Sequence, residues 1–161
     1  MKTIYLDMDG VVADFNSYAK KVLNTLETHH NWPKEHWLKI GSNPRLYRDL
    51  DKTPEADELV TFCQNTCREN NWNLFFLTAV PKDDDMPWAY YDKIQWVLKY
   101  YPDIPVFFGP HSNDKWKHCQ IGDILIDDRP SNCEEWKKAG GEAILHVGDL
   151  IETINKLSAL L

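Results

Sequence analysis

The sequence predicts an α/β protein: a doubly wound, Rossmann-like parallel sheet flanked by helices, with a small helical cap inserted after the first strand and helix. Three observations carry that prediction. Short, uniformly apolar runs recur along the 161 residues, as strands buried on both faces require. Amphipathic stretches separate these runs, opened by Pro or acids and closed by Gly. The carboxyl ends of several runs are polar, and an open parallel sheet binds its ligands at those ends.

In chain order, TIYLD (3–7) is the first strand and stops at a carboxylate. Residues 29–52, HHNWPKEHWLKIGSNPRLYRDLDK, are rich in Trp, Pro, Arg and His without one clear period, and are read as the cap. They are an insertion within a single catalytic domain spanning 1–161. A helix follows over TPEADELVTFCQNTCREN, with Thr53 as the expected N-cap and Pro54 at the first helical position. NLFFLT (73–78) is the second strand, and MPWAYYDKIQWVLKYYP the next helix. The acidic loop PKDDDMP (81–87) between them reads as solvated. PVFFG (105–109), DILIDD (123–128) and EAILHV (142–147) complete the strands. SNCEEWKKAGG and GDLIETINKLSALL supply two more helices, the first stopped by Gly140 and Gly141.

Composition narrows the function classes. A formal charge of -7 argues against an extended surface for polymeric nucleic acid, though local cations could hold a small anion. Cys63, Cys67, Cys119 and Cys133 form no C-x-x-C pair, so neither a zinc knuckle nor a disulfide scaffold is expected. His29, His30 and His118 lack partners at ligand spacing. There is no run of eighteen apolar residues and no leader-like N-terminus, so neither membrane association nor export is expected. A cytoplasmic setting follows, with room for a homodimer.

The chemistry concentrates at the strand ends: Asp7 and Asp9 around Met8, then Gly10; Thr78 and Ala79; Asp127, Asp128 and Arg129. Acids converging in a half-buried crevice repel one another unless a divalent cation neutralises them. Mg²⁺ suits an all-oxygen set without His or Cys ligands. Asp7 is placed to act as nucleophile and Asp9 to handle protons. The Thr78 hydroxyl and following N–H groups are placed to bind phosphoryl oxygens, with a lysine offsetting charge.

DMDG, LFFLTA and ILIDDRP, in that order, resemble the three acidic and hydroxyl motifs of the haloacid dehalogenase superfamily of phosphatases. DMDGVVADF, LTAVP and ILIDDRP together look most like its 5'(3')-deoxyribonucleotidases. The resemblance implies that Asp7 forms an aspartyl-phosphate while Asp9 protonates the leaving alcohol and later activates water. It implies Mg²⁺ on the Asp7 carboxylate, the Asp9 carbonyl and Asp128, with Asp127 adjacent, and the phosphoryl group at Thr78 and Ala79. Phe15 falls where the family places an aromatic ring against the nucleobase. For the family's lysine, Lys117 ranks first by its ten-residue distance from Asp127, then Lys93, then Lys115.

The cap looks shorter than in the larger nucleotidases. Its Trp32, Trp37 and Tyr47 either stack on a base or pack among themselves. Arg129 either holds the acidic pair or touches substrate, and Arg45 and Arg48 either guide an anion or sit solvated. The expected activity is hydrolysis of nucleoside monophosphates, deoxyribonucleotides foremost. The alternatives are a phosphatase for another small phosphomonoester such as a sugar phosphate, and, in a different class, a phospho-receiver or phosphate-binding module without turnover.

Overall fold

Five strands form one parallel sheet: β1 (Thr3–Leu6), β2 (Asn73–Thr78), β3 (Val106–Phe108), β4 (Ile124–Asp127) and β5 (Glu142–Leu145). The computed structural model describes residues 1–24, 32–82 and 86–161. The expected cap residues His29 and His30 and the acidic run Asp83 to Asp85 therefore lie outside the described residues. Each strand falls within its predicted run, most of them trimmed at the ends.

The spatial order is β3-β2-β1-β4-β5. The chain winds outward from β1 through β2 to β3, then crosses back to place β4 on the other side of β1. That reversal opens a crevice at the carboxyl ends of β1 and β4. Register makes the two ends neighbours: Leu6 pairs with Ile126, and the Asp7 N–H donates to the Ile126 carbonyl at 2.9 Å. The acids that follow both strands must therefore meet.

Alternation along the strands fills two layers. Ile4, Leu6, Phe76, Ile124 and Ile126 point to the larger core, and Tyr5, Leu77 and Leu125 to a smaller one closed by Trp136. Trp96 and Trp136 are fully buried, and their indole N–H groups donate to the carbonyls of Leu50 (2.8 Å) and Asp123 (3.1 Å). Both large rings are thus buried without leaving a donor unpaired.

The helices are α1 (Phe15–Leu23), α2 (Lys34–Gly41), α3 (Leu46–Asp49), α4 (Ala56–Asn70), α5 (Ala89–Tyr100), α6 (Pro130–Lys138) and α7 (Leu150–Ser158), with a 3₁₀ helix over Ser112–His118. The described part of the expected cap thus contains α2 and α3. Ile40, Leu46 and Tyr47 from these helices are buried in the same core as the sheet. Thr53 does not cap α4, whose N-cap is Glu55. The Thr53 hydroxyl and N–H instead donate to Val11 and Val12 carbonyls, each at 2.9 Å, tying the chain to the loop after β1. This tertiary bond replaces the local cap that the Thr-Pro pattern suggests. Among the described residues, no helix is long and apolar enough to cross a membrane.

Candidate active site

Carboxylates collect where β1 and β4 end. Oxygens of Asp7, Asp127 and Asp128 lie within 4.8 Å of one another. Lys115, on the 3₁₀ helix, is 2% exposed and bridges two of these acids: its Nζ is 2.7 Å from Asp7 Oδ1 and 2.7 Å from Asp127 Oδ2. Asp127 is fully engaged, also accepting from the Arg129 N–H at 2.9 Å and from Asn132 Nδ2 at 3.0 Å on both oxygens. Asp127 therefore acts as the buried brace of the site. The Met8 N–H, like Lys115, reaches Asp7 Oδ1 (2.7 Å), so Oδ2 is the oxygen turned to the cleft.

Asp9 stands on the other side of the cleft floor. Its Oδ2 is 2.5 Å from Lys93 Nζ, while Oδ1 is buried with no hydrogen-bond partner among the described residues. Lys93 is itself fully buried on α5 and also donates to the Thr78 hydroxyl at 3.0 Å. The Tyr47 ring covers the ammonium, 4.4 Å from centroid to Nζ, a cation–π contact.

Gly10 makes the tight exit from β1 possible. Its φ is +80°, and a Cβ there would lie 2.2 Å from Asp128 Oδ2. Gly10→Ala is thus expected to cost about 1–2 kcal/mol in backbone strain alone and to push Asp128 off the acidic cluster. Thermal denaturation together with turnover checks this; wild-type activity in the variant would show that Asp128 has no role at its present position.

The cleft above these groups has a volume of about 310 Å³. Its floor is polar, with Asp7, Asp9, Asp128, Lys115 and Arg129, and its roof is aromatic, with Phe15, Trp32, Trp37 and Tyr47. Phe15 is stacked with Tyr47 (6.0 Å, 12°) and Trp37 (6.2 Å, 23°), and Trp32 lies 5.4 Å from Trp37. The aromatics thus pack among themselves and line the cleft as well.

No protein-family model matches the chain. Among curated proteins it is similar to a Staphylococcus epidermidis protein named "Putative 5'(3')-deoxyribonucleotidase", at 29% identity over 150 residues, covering 81% of this chain and 76% of the relative. A Staphylococcus aureus protein of the same name is 28% identical over 152 residues, covering 83% and 77%. Among solved structures, a haloacid dehalogenase family enzyme from Bacteroides thetaiotaomicron, complexed with magnesium and inorganic phosphate, superposes with a TM-score of 0.52 at 12% identity, covering 92% of this chain and 96% of that one. A "putative beta-phosphoglucomutase" from Thermotoga maritima superposes at 0.56 with 16% identity over the whole of both chains. The chain shares the fold of these haloacid dehalogenase enzymes, and its sequence is similar to that of the staphylococcal relatives.

In this haloacid dehalogenase fold, the lysine order expected from spacing is reversed. Lys117 is exposed and paired with Asp114 at 2.7 Å, away from the acids, whereas Lys115 and Lys93 both reach them. The reason is the 3₁₀ helix, in which residues two apart do not share a face; the spacing to Asp127 could not reveal which lysine turns inward. Thr78 is fully buried beneath the cleft and Ala79 lines it, but the Val80 N–H is committed to the Pro110 carbonyl at 2.9 Å. Of Arg129, the backbone N–H and not the guanidinium reaches Asp127; the guanidinium lines the cleft, with Nη1 3.3 Å from Ser112 Oγ and Nε 3.2 Å from Ser131 Oγ.

Ser112 and Asn132 were not singled out in the sequence. Ser112 Oγ donates to Asn132 Oδ1 at 2.9 Å, and Asn132 in turn orients Asp127. The one hint in the sequence for Asn132 is its place in the first turn of the helix after the acidic pair. Arg48 is engaged with Asp49 on the surface, and Arg45 reaches into the core to Asp92. His118 Nε2 donates to the Phe108 carbonyl (2.9 Å), outside the cleft lining.

Electrostatics set the site apart from an ordinary buried ion pair. Burial pushes Asp7 up to about 7 despite the opposing charge of Lys115, with Asp127 and Asp9 adding repulsion. Burial, then Asp7 and Asp127, push Asp128 up to about 8. One ammonium does not compensate this much negative charge, and the oxygen-only donor set fits a hard divalent cation. Asp7 and Asp128, with the loop through Asp9 beside them, are the residues that would hold it.

Proposed function

We propose that this protein is a nucleotidase that hydrolyses nucleoside monophosphates, deoxyribonucleotides foremost, through an aspartyl-phosphate and with Mg²⁺. The observation that carries the reading is the union of an acidic, lysine-braced floor with an aromatic roof in one cleft. The floor suits phosphoryl transfer, and stacked Phe15, Trp37 and Tyr47 offer planes to a base. The names of the staphylococcal relatives point the same way.

Asp7 Oδ2 attacks phosphorus, and the bond from phosphorus to the ester oxygen breaks. Asp9 delivers its proton to that oxygen, so the nucleoside leaves as an alcohol. Asp9 then takes a proton from water as the water oxygen attacks the phosphorus of the aspartyl-phosphate, which frees inorganic phosphate and restores the Asp7 carboxylate. Lys115 holds Asp7 in place throughout and, with Lys93 and Arg129, balances charge on the phosphoryl oxygens. Mg²⁺, when bound by Asp7, Asp128 and the Asp9 carbonyl, supplies charge neutralisation that lets an anionic nucleophile meet an anionic ester.

The test is phosphate release from a panel of deoxynucleoside, ribonucleoside and sugar monophosphates, with and without Mg²⁺. Metal-dependent turnover led by deoxynucleotides is the expected result. Turnover led by sugar phosphates would overturn the role of the aromatic roof, and no turnover on any member would overturn the enzyme itself.

The raised Asp7 and Asp128 values give a second test that needs no substrate. Both groups bind protons more tightly folded than unfolded, where the ordinary value is 3.8. Stability is therefore full below about pH 4 as far as these groups are concerned, and is lost as pH rises through about 7 and 8. The melting temperature of metal-free protein is expected to carry this falling contribution from pH 5 to 8, and millimolar Mg²⁺ to remove it. Superimposable curves with and without the ion would contradict cation binding at this cluster.

A further inference from the structure

Asp92 and Lys93 are consecutive on α5, about 100° apart around the helix, and both side chains are fully buried. Lys93 serves the cleft. Asp92 meets α3 at its start, where Arg45 Nη2 lies 2.7 Å from its Oδ1. The pair is held by charge and not by aligned hydrogen bonds: Arg45 Nε and both Asp92 oxygens have no hydrogen-bond partner among the described residues. Arg45 is the N-cap residue of α3, and two residues later Tyr47 lays its ring over the Lys93 ammonium. The same ring stacks on Phe15 in the roof. Helices α3 and α5 are thus joined twice, by Arg45 to Asp92 and by Tyr47 to Lys93.

We propose that the Arg45–Asp92 ion pair is a positioning device that sets the Tyr47 ring on Lys93, and through it registers the aromatic roof against the ammonium at Asp9. It rests on the proposed function only in assigning Lys93 and Asp9 to the reaction; the link between α3 and α5 is independent of substrate. A buried carboxylate depends on its counter-charge, and Arg45 acts on Asp92 ahead of Arg48, so loss of Arg45 or Asp92 loosens α3. Tyr47 then leaves Lys93.

The experiment uses the whole chain. In wild-type protein, the Lys93 ε-methylene protons lie against the Tyr47 ring and are expected well upfield of those of exposed lysines in a carbon-correlated NMR spectrum. Asp92→Asn and Arg45→Met should lose most of this shift, while Arg45→Lys keeps the charge and part of the shift. Lys156→Met, which breaks the exposed pair with Glu152 on α7, serves as control and should change nothing. On a phosphomonoester that wild-type protein turns over, Asp92→Asn should lower kcat/KM about 10- to 100-fold, the scale of a misplaced catalytic group. In a Tyr47→Leu background the same change should lower it less than twofold, since the path through Tyr47 is already cut.

Folded variants that keep the Lys93 shift would overturn the inference, as would additive effects in the double variant. Failure of both Asp92→Asn and Arg45→Met to fold would make the pair purely structural and also overturn it. If wild-type protein turned over no phosphomonoester yet the variants lost the shift, the functional reading would fall and the positioning link would stand.

Discussion

Asp7→Asn protein is expected to fold normally and to release phosphate at least about 10³-fold more slowly than wild type, the scale on which loss of a covalent nucleophile registers. An amide oxygen cannot take up phosphorus and be regenerated as a carboxylate, whereas the surrounding geometry can accept the amide. Lys115 keeps its 2.7 Å partner in Asp127, and the Asn side chain retains an oxygen for the Met8 N–H. The substitution also removes a charge that burial opposes, with Asp7 pushed up to about 7. The metal-free variant should therefore melt at or above the wild-type temperature at pH 8. Circular dichroism and a phosphate-release assay on the same sample separate the two claims. Activity within tenfold of wild type would remove Asp7 from the role of nucleophile.

Lys115→Met should be the most destabilising single change in the site. The ammonium is 2% exposed and is the counter-charge shared by Asp7 and Asp127. Removing one partner of a buried pair costs about 3–5 kcal/mol, because the remaining charge stays desolvated, and at this burial solvent screening relieves little of it. The acids raise the ammonium well above its ordinary value despite burial, so it is charged at every pH of interest. Chemical denaturation measures the loss, and Mg²⁺ should restore part of it by supplying charge to the same carboxylates. Lys117→Ala, which breaks only a surface pair with Asp114, should change stability by less than about 1 kcal/mol and turnover by less than twofold. Equal effects of the two substitutions would show that Lys115 is not the brace of this site.

Much of this arrangement was legible along the chain because it is local. An apolar run that ends in Asp7 has to place that carboxylate at the strand end, and the same holds for Asp127, the last residue of β4, and for Asp128 after it. The need for Gly10 could be read from the sharp exit after Asp9, and its φ of +80° supplies the reason. The helix over residues 54–70 was equally legible, but its first residue was not: Thr53 spends its hydroxyl on Val11, forty-two residues away in sequence.

The lysines show where such reading stops. Lys93, Lys115 and Lys117 are chemically identical, and spacing from Asp127 favoured the one that turns to solvent. Which ammonium is desolvated depends on how the 3₁₀ helix and α5 lie against the sheet. Ser112, Asn132 and the Arg45–Asp92 pair are not marked by spacing for the same reason, since each acts across elements.

The sequence by itself determined the α/β pattern, the strand-end acids and the aromatic character of the cap segment, because each follows from the periodicity or chemistry of neighbouring residues. The tertiary structure alone decided which strands adjoin, and so that the acids after β1 and β4 share one crevice. It also decided which lysines brace them and which rings roof the cleft. Those choices rest on burial and charge compensation between residues distant in sequence, where selection of partners is made by packing and not by spacing.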